Sequence, residues 1–231
     1  MEIPAIWEAV FFDIDNTLYD SALQVEMVRR NAIKAMIEAG LDIDVEEGLQ
    51  ALKDIVALRG SNYQNHFDEL LKKYGYEGNP RILAAGILAY HNTKLSYLVP
   101  FPDTIPTLLT LRQRGYKIGV ITEGRSVKQW EKLISLGLQH FFHVVLISEE
   151  VAKQKPDVEL FTTAAKRMGC KPAEAVMVGD RLDKDIVGAK AAGMTTIQIL
   201  KGKYSDQSPT CPGEEPDYVV PDLKGILSIL K

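Results

Sequence analysis

The stretch AVFFDIDNTLYD, Ala9 to Asp20, carries the clearest architectural signal in the chain. Four consecutive apolar residues, Ala9–Phe12, run straight into two acids, Asp13 and Asp15, and a third, Asp20, follows. A short run that is apolar at every position suits a strand covered on both faces, as in a parallel sheet. Its abrupt polar end marks the C-terminal edge of such a sheet, where open α/β folds hold their ligands. Two residues apart on an extended chain, Asp13 and Asp15 face the same way, with Ile14 opposite. Like charges this close raise each other's pKa unless a cation or hydrogen bonds relieve them. A hard divalent ion such as Mg²⁺ is the natural relief, because it takes oxygen ligands, typically one or two of them carboxylates.

A single strand needs neighbours, and they come late in the chain. From Ala22 to about Tyr90 the pattern is helical throughout. Leu23, Met27, Ile33 and Ile37 share one side of a first helix, stopped at Gly40. Asp44 with Glu47 caps a second, whose apolar positions include Leu49, Leu52 and Val56. Phe67, Leu70, Leu71 and Tyr74 mark a third, and Asn79-Pro80 opens a fourth. From Val99 onward strands and helices alternate strictly. Strands are expected at 116–122, 143–148, 175–179 and 195–200, and helices at 103–114, 126–136, 158–168 and 184–192. The expected architecture is α/β: a Rossmann-like parallel sheet core with helices on both faces, interrupted by an inserted four-helix cap. The core is expected over 1–19 and 99–231, the cap over 20–98.

Each strand of that core ends in polar residues. The first gives Asp13 and Asp15, the second Thr122-Glu123-Gly124, the third Lys155-Pro156 after a short loop, and the fourth Gly179-Asp180 followed by Asp183 and Asp185. In one parallel sheet these endings converge. Together they offer carboxylates for a metal, a lysine as a compact positive charge, a hydroxyl, and amides at helix starts, an inventory that suits phosphoryl transfer. Singly, each has an ordinary reading: Thr122 closes a strand, Lys155 faces water, and Asp180 or Asp183 caps the next helix.

Bulk properties narrow the classes. The chain has 231 residues and a formal net charge of −4, with no basic tract that would follow a nucleic-acid backbone. Its two cysteines, Cys170 and Cys211, form no CxxC, which argues against a zinc site or a disulfide framework. No basic leader precedes an apolar run, and no apolar run approaches the roughly 18 residues of a membrane span. A soluble cytoplasmic protein is the expectation, with a small phosphorylated metabolite as partner and neither nucleic acid nor membrane.

The motifs resemble those of the haloacid-dehalogenase-like hydrolase superfamily, in its subfamily with a helical cap after the first motif. They are DIDNT (Asp13–Thr17), VITEG (Val120–Gly124), Lys155-Pro156 within KQKPDVELF, and VGDRLDKDIVGAKAAGM (Val178–Met194). EPDYVVPDL resembles the usual final strand. Within the superfamily the chain is similar to archaeal small-molecule phosphatases of the glyceraldehyde-3-phosphate type.

The resemblance implies a Mg-dependent phosphatase. Asp13 would be the nucleophile and Asp15 the general acid and base, its backbone carbonyl also touching the metal. Thr122, the amides at Glu123 and beyond, and Lys155 would hold the phosphoryl group. Asp180 would complete the metal set of Asp13, Asp15 and Asp180, with Asp185 orienting a ligand or Lys155. True dehalogenases of the superfamily lack an acid at the position of Asp15, so dehalogenation is disfavoured. A phosphomutase on a sugar phosphate and a non-catalytic phosphometabolite-binding or interaction protein remain as alternatives. Glu123 departs from the usual Asn or Asp of the second motif, and Arg125 is its expected partner. Substrate contacts are sought at Tyr19, Asp20, Arg59, Asn62, Tyr63, His66 and Arg125, against the plainer reading that the insert's residues pack between its own helices.

Overall fold

The computed structural model describes residues 7–61 and 63–231, so Asn62 lies outside the described residues. The chain forms two compact units, Met1–Ser21 with Leu98–Lys231, and Ala22–Tyr97.

The first unit is built on a six-stranded sheet: β1 (Ala9–Phe12), β2 (Lys117–Thr122), β3 (Val144–Ile147), β4 (Ala175–Gly179), β5 (Thr195–Ile199) and β6 (Tyr218–Val220). All neighbours are parallel and the order is β3-β2-β1-β4-β5-β6. Alternating side chains of β1 feed two separate cores. Val10 and Phe12 join Ile118, Val120, Val176, Val178 and Ile197 on one face, while Ala9 and Phe11 join Ile121, Ala175 and Met177 on the other. Helices cover both. Thr104–Gln113 and Ser126–Ser135 pack on the first face, and Val158–Met168 and Val187–Ala191 on the second. This double cover is why β1 reads as continuously apolar.

Gly119 of β2 makes room for Phe11. A Cβ there would stand 2.7 Å from the Phe11 ring and 2.8 Å from the Met168 methyl. Gly119→Ala therefore overpacks the core, with an expected loss of about 1–3 kcal/mol. Urea unfolding measures this, and an unchanged midpoint would contradict it.

The second unit contains α1 (Ser21–Glu38, entering from the last residue of the first unit), α2 (Val45–Arg59), α3 (His66–Lys73) and α4 (Pro80–Ser96). Its caps follow the sequence: Asp44 accepts from the amides of Glu46 and Glu47, and Asn79 from that of Ile82, with Pro80 opening the helix. Its core gathers Ile33, Met36, Leu49, Leu52, Leu70, Leu71 and Ile82. The buried face of α1 differs from the expected one. Gln24, Val28, Ala32, Ile33 and Met36 are buried, whereas Leu23 is 44% exposed. The reason is a glutamine that satisfies its amide internally, Gln24 Nε2 donating to the Lys94 carbonyl at 2.8 Å. No described helix is long and apolar enough to cross a membrane.

Candidate active site

Asp13 and Asp180 come together because β1 and β4 are neighbours in register. Phe12 pairs with Val178, and the Asp13 amide extends the ladder to the Val178 carbonyl at 3.0 Å. Asp185 arrives by a different device. Leu182–Ile186 forms a single π turn, in which the Arg181 carbonyl accepts from Asp185 N at 2.9 Å and from Ile186 N, five residues on, at 3.2 Å. The wide turn carries the Asp185 carboxylate inward to 1% exposure, over Gly179, where any Cβ would collide with it. The helix expected from Lys184 is thus this turn followed by Val187–Ala191, and Asp183 does not cap it. Asp183 instead holds Arg181, accepting from Nε at 3.0 Å and from a terminal nitrogen at 2.5 Å.

One oxygen each of Asp13, Asp180 and Asp185 lies within 4.8 Å of the others, and all three residues are buried. Lys155 Nζ donates to Asp13 Oδ1 and Asp185 Oδ1, both at 2.6 Å. Three acids thus face one buried ammonium. Burial, followed by the balance of Lys155 against Asp185 and Asp15, pushes Asp13 up to about 6. Burial, then the charges of Asp185 and Asp13, pushes Asp180 up to about 8, while a hydrogen bond from Asn16 works against the rise. Burial acts to lower the Lys155 pKa, yet Asp13 and Asp185 hold its proton and the net shift is upward. Asp180 Oδ2 is buried with no hydrogen-bond partner among the described residues. An orphaned carboxylate oxygen inside an all-oxygen acid cluster fits a hard divalent cation such as Mg²⁺.

Asp15 turns elsewhere. Its carboxylate accepts from Lys132 Nζ at 2.6 and 2.8 Å and from the Tyr19 hydroxyl at 2.7 Å. Burial and then the Asp15 charge hold the Tyr19 phenol far above its ordinary pKa, so it remains a donor. Half-buried Asp20 adds to the negative charge around Tyr19.

At the end of β2, Thr122 is 1% exposed. Gly124, at φ 122°, passes so close to Gln129 that a Cβ would stand 2.7 Å from Nε2, and that nitrogen donates to the Glu123 carbonyl at 2.7 Å. The Gly124 amide donates to Ser148 Oγ at 3.0 Å. The Glu123 side chain pairs with Lys184, not with Arg125. Arg125 is exposed at the start of its helix and does not line the cavity.

A cavity of about 150 Å³ in this unit is lined by Asp13, Asp15, Thr122, Glu123, Lys155, Asp180 and Asp185. Asn16, Arg181, Lys184 and Tyr204 complete it, four residues absent from the site expected from the sequence. Arg181 and Lys184 follow Asp180 within the fourth motif, and that proximity is the signal the sequence carries for them. Tyr204 closes a short 3-10 turn, Gly202–Tyr204, after β5. It is placed there by Gly202, at φ 65°, which packs against the Asn16 side chain, and by Arg181, whose guanidinium sits 4.9 Å from the Tyr204 ring centre. In the helical unit, Arg59 and Tyr63 both bond Glu69 Oε1, at 3.0 and 3.2 Å, and His66 Nε2 lies 3.0 Å from the Gly60 carbonyl.

Residues 7–193 match the family model of haloacid dehalogenase-like hydrolases. The chain is 51% identical to the glyceraldehyde 3-phosphate phosphatase of Methanopyrus kandleri, over 97% of both chains. It is 48% identical to the protein of that name from Methanocaldococcus jannaschii, again over 97% of each. Among solved structures it is similar to a HAD phosphatase from Thermococcus onnurineus, at 29% identity and a TM-score of 0.66, covering 96% of this chain and 97% of that one. With a parallel sheet whose strand ends gather Asp13, Thr122, Lys155 and Asp180, the chain belongs to the haloacid dehalogenase-like hydrolases, in the company of phosphatases.

Proposed function

We propose that this protein hydrolyses a small phosphate monoester, with glyceraldehyde 3-phosphate as the substrate its relatives point to, through an aspartyl-phosphate on Asp13. The observation that carries the reading is the buried Asp13 carboxylate, fixed at 2.6 Å by Lys155 at the mouth of β1. One carboxylate oxygen is occupied by the ammonium, which leaves the other to attack phosphorus. Lys155 also offsets charge on the phosphoryl group, and the Thr122 hydroxyl and the Glu123 amide donate to its oxygens.

Asp15 protonates the leaving alkoxide and then takes a proton from the water that cleaves the acyl phosphate. In this structure Lys132 and Tyr19 hold Asp15 as a carboxylate, so its action as the acid requires release from Lys132 and uptake of one proton, which it passes to the leaving oxygen. Asp13, Asp180 and the Asp15 backbone carbonyl would hold Mg²⁺, with Asp185 steadying Lys155. When bound, the ion supplies charge neutralisation for the phosphoryl oxygens. The helical unit Ala22–Tyr97 would serve as the cap domain of the enzyme.

A single turnover in ¹⁸O-labelled water, followed by proteolysis and mass spectrometry, tests the covalent step. The released phosphate carries one ¹⁸O whether water attacks the acyl phosphate or the ester directly, so the label reports cleavage at phosphorus and the trapped peptide decides the covalent step. An acid quench before completion leaves a phosphorylated peptide containing Asp13. Phosphate release with no phosphorylated peptide at any quench time would reject the intermediate.

A further inference from the structure

We propose that the Glu123–Lys184 pair is a charge filter, which admits phosphate monoesters whose remainder is uncharged and turns away those carrying a second anionic group. The proposal rests on the hydrolase reading above. The cations that line the cavity are Lys155, Arg181 and Lys184. Each is already matched. Lys155 lies between Asp13 and Asp185, Arg181 is held twice by Asp183, and Lys184 is paired with Glu123.

The last pair is the unusual one. Glu123 stands directly after the phosphate-handling Thr122, where a carboxylate would repel an incoming dianion if it were unpaired. Its Oε1 is buried and accepts no hydrogen bond among the described residues, so the charge is balanced through Oε2 by Lys184. Tyr204, stacked beneath Arg181, adds an uncharged surface to the same cavity.

A carboxylate or second phosphate on the substrate would therefore meet side-chain cations that are each already paired, and it would lose its hydration without gaining a free side-chain counter-ion. A hydroxyl or an aldehyde meets no such cost. Selection of this kind works by rejection of the wrong partner as much as by attraction of the right one.

The test compares glyceraldehyde 3-phosphate with 3-phosphoglycerate, which share a three-carbon skeleton and differ by a carboxylate in place of the aldehyde. The wild-type enzyme should favour the aldehyde by at least about tenfold in kcat/KM. Glu123→Gln leaves Lys184 unmatched and should move the ratio toward 3-phosphoglycerate by about tenfold. Lys184→Gln leaves Glu123 unmatched and should move it the other way. The double variant, neutral at both positions, should return to within about threefold of the wild-type ratio.

Damage to the site would lower both activities without this opposition of sign. Single variants whose ratios stay within about twofold of wild type, or shift in the same direction, would overturn the filter while leaving the hydrolase reading intact. A wild-type enzyme that turns over no phosphate monoester would remove both.

Discussion

Asp13→Asn should lose at least about 10⁴-fold in kcat toward any phosphate monoester while keeping its fold. The amide is close in shape to the carboxylate, and Lys155 retains Asp185 at 2.6 Å, so the buried ammonium keeps a counter-charge. What disappears is the anionic oxygen proposed to attack phosphorus, and the neighbouring acids Asp185 and Asp15 are engaged elsewhere. Asp185 is held by Lys155 and by the Arg181 amide, at 3.2 Å, while Asp15 is engaged with Lys132. Circular dichroism and steady-state kinetics on the same preparation decide the matter. A variant that is folded and keeps more than about 1% of activity would show that Asp13 is not the nucleophile.

The second large effect is on stability. Melting the metal-free protein across pH 4.5 to 8.5 should give a midpoint that falls as pH rises. In the unfolded chain an aspartate titrates near 3.8, whereas the folded protein raises Asp13 to about 6 and Asp180 to about 8. Between those values the folded state holds protons that the unfolded state has released. The favourable contribution is therefore complete below about pH 4 and is lost as pH passes through 6 and then 8.

Lys155, raised from an already high value, stays protonated throughout this window and adds no slope. The acids whose values are lowered, Glu149, Asp157 and Asp183, act below the ordinary carboxylate range. Mg²⁺ prefers the deprotonated acid cluster, so the rise in melting temperature on adding it should be larger at pH 8.5 than at pH 5. Asp180→Asn should flatten the pH slope and shrink the Mg²⁺ response. A midpoint that does not fall between pH 5 and 8.5, or a Mg²⁺ response that is no larger at the higher pH, would refute the account of the acid cluster.

Features that a single element's own geometry prescribes are legible in the residues alone. Ala9–Phe12 is a strand with cores on both faces, so its pattern is uninterrupted, and Asp13 must stand at its end. Asp44 and Asn79 bond amides within three residues, so spacing alone revealed them as helix caps.

Contacts that join distant segments leave no such trace. Lys132 reaches Asp15 across 117 positions, and the partner of Glu123 is Lys184, 61 positions away, rather than Arg125 two residues on. Tyr204 reaches the cavity because Gly202 packs on Asn16, and Asp185 because a π turn widens around the Arg181 carbonyl. The apolar pattern of the first helix of the insert suggested a face that includes Leu23, but the internal bond of Gln24 put that residue inside instead. A repeating pattern in the chain records which side of an element is dry. Which charge neutralises which is settled only when separate elements pack, because an ion pair depends on distance in space and carries no period along the sequence.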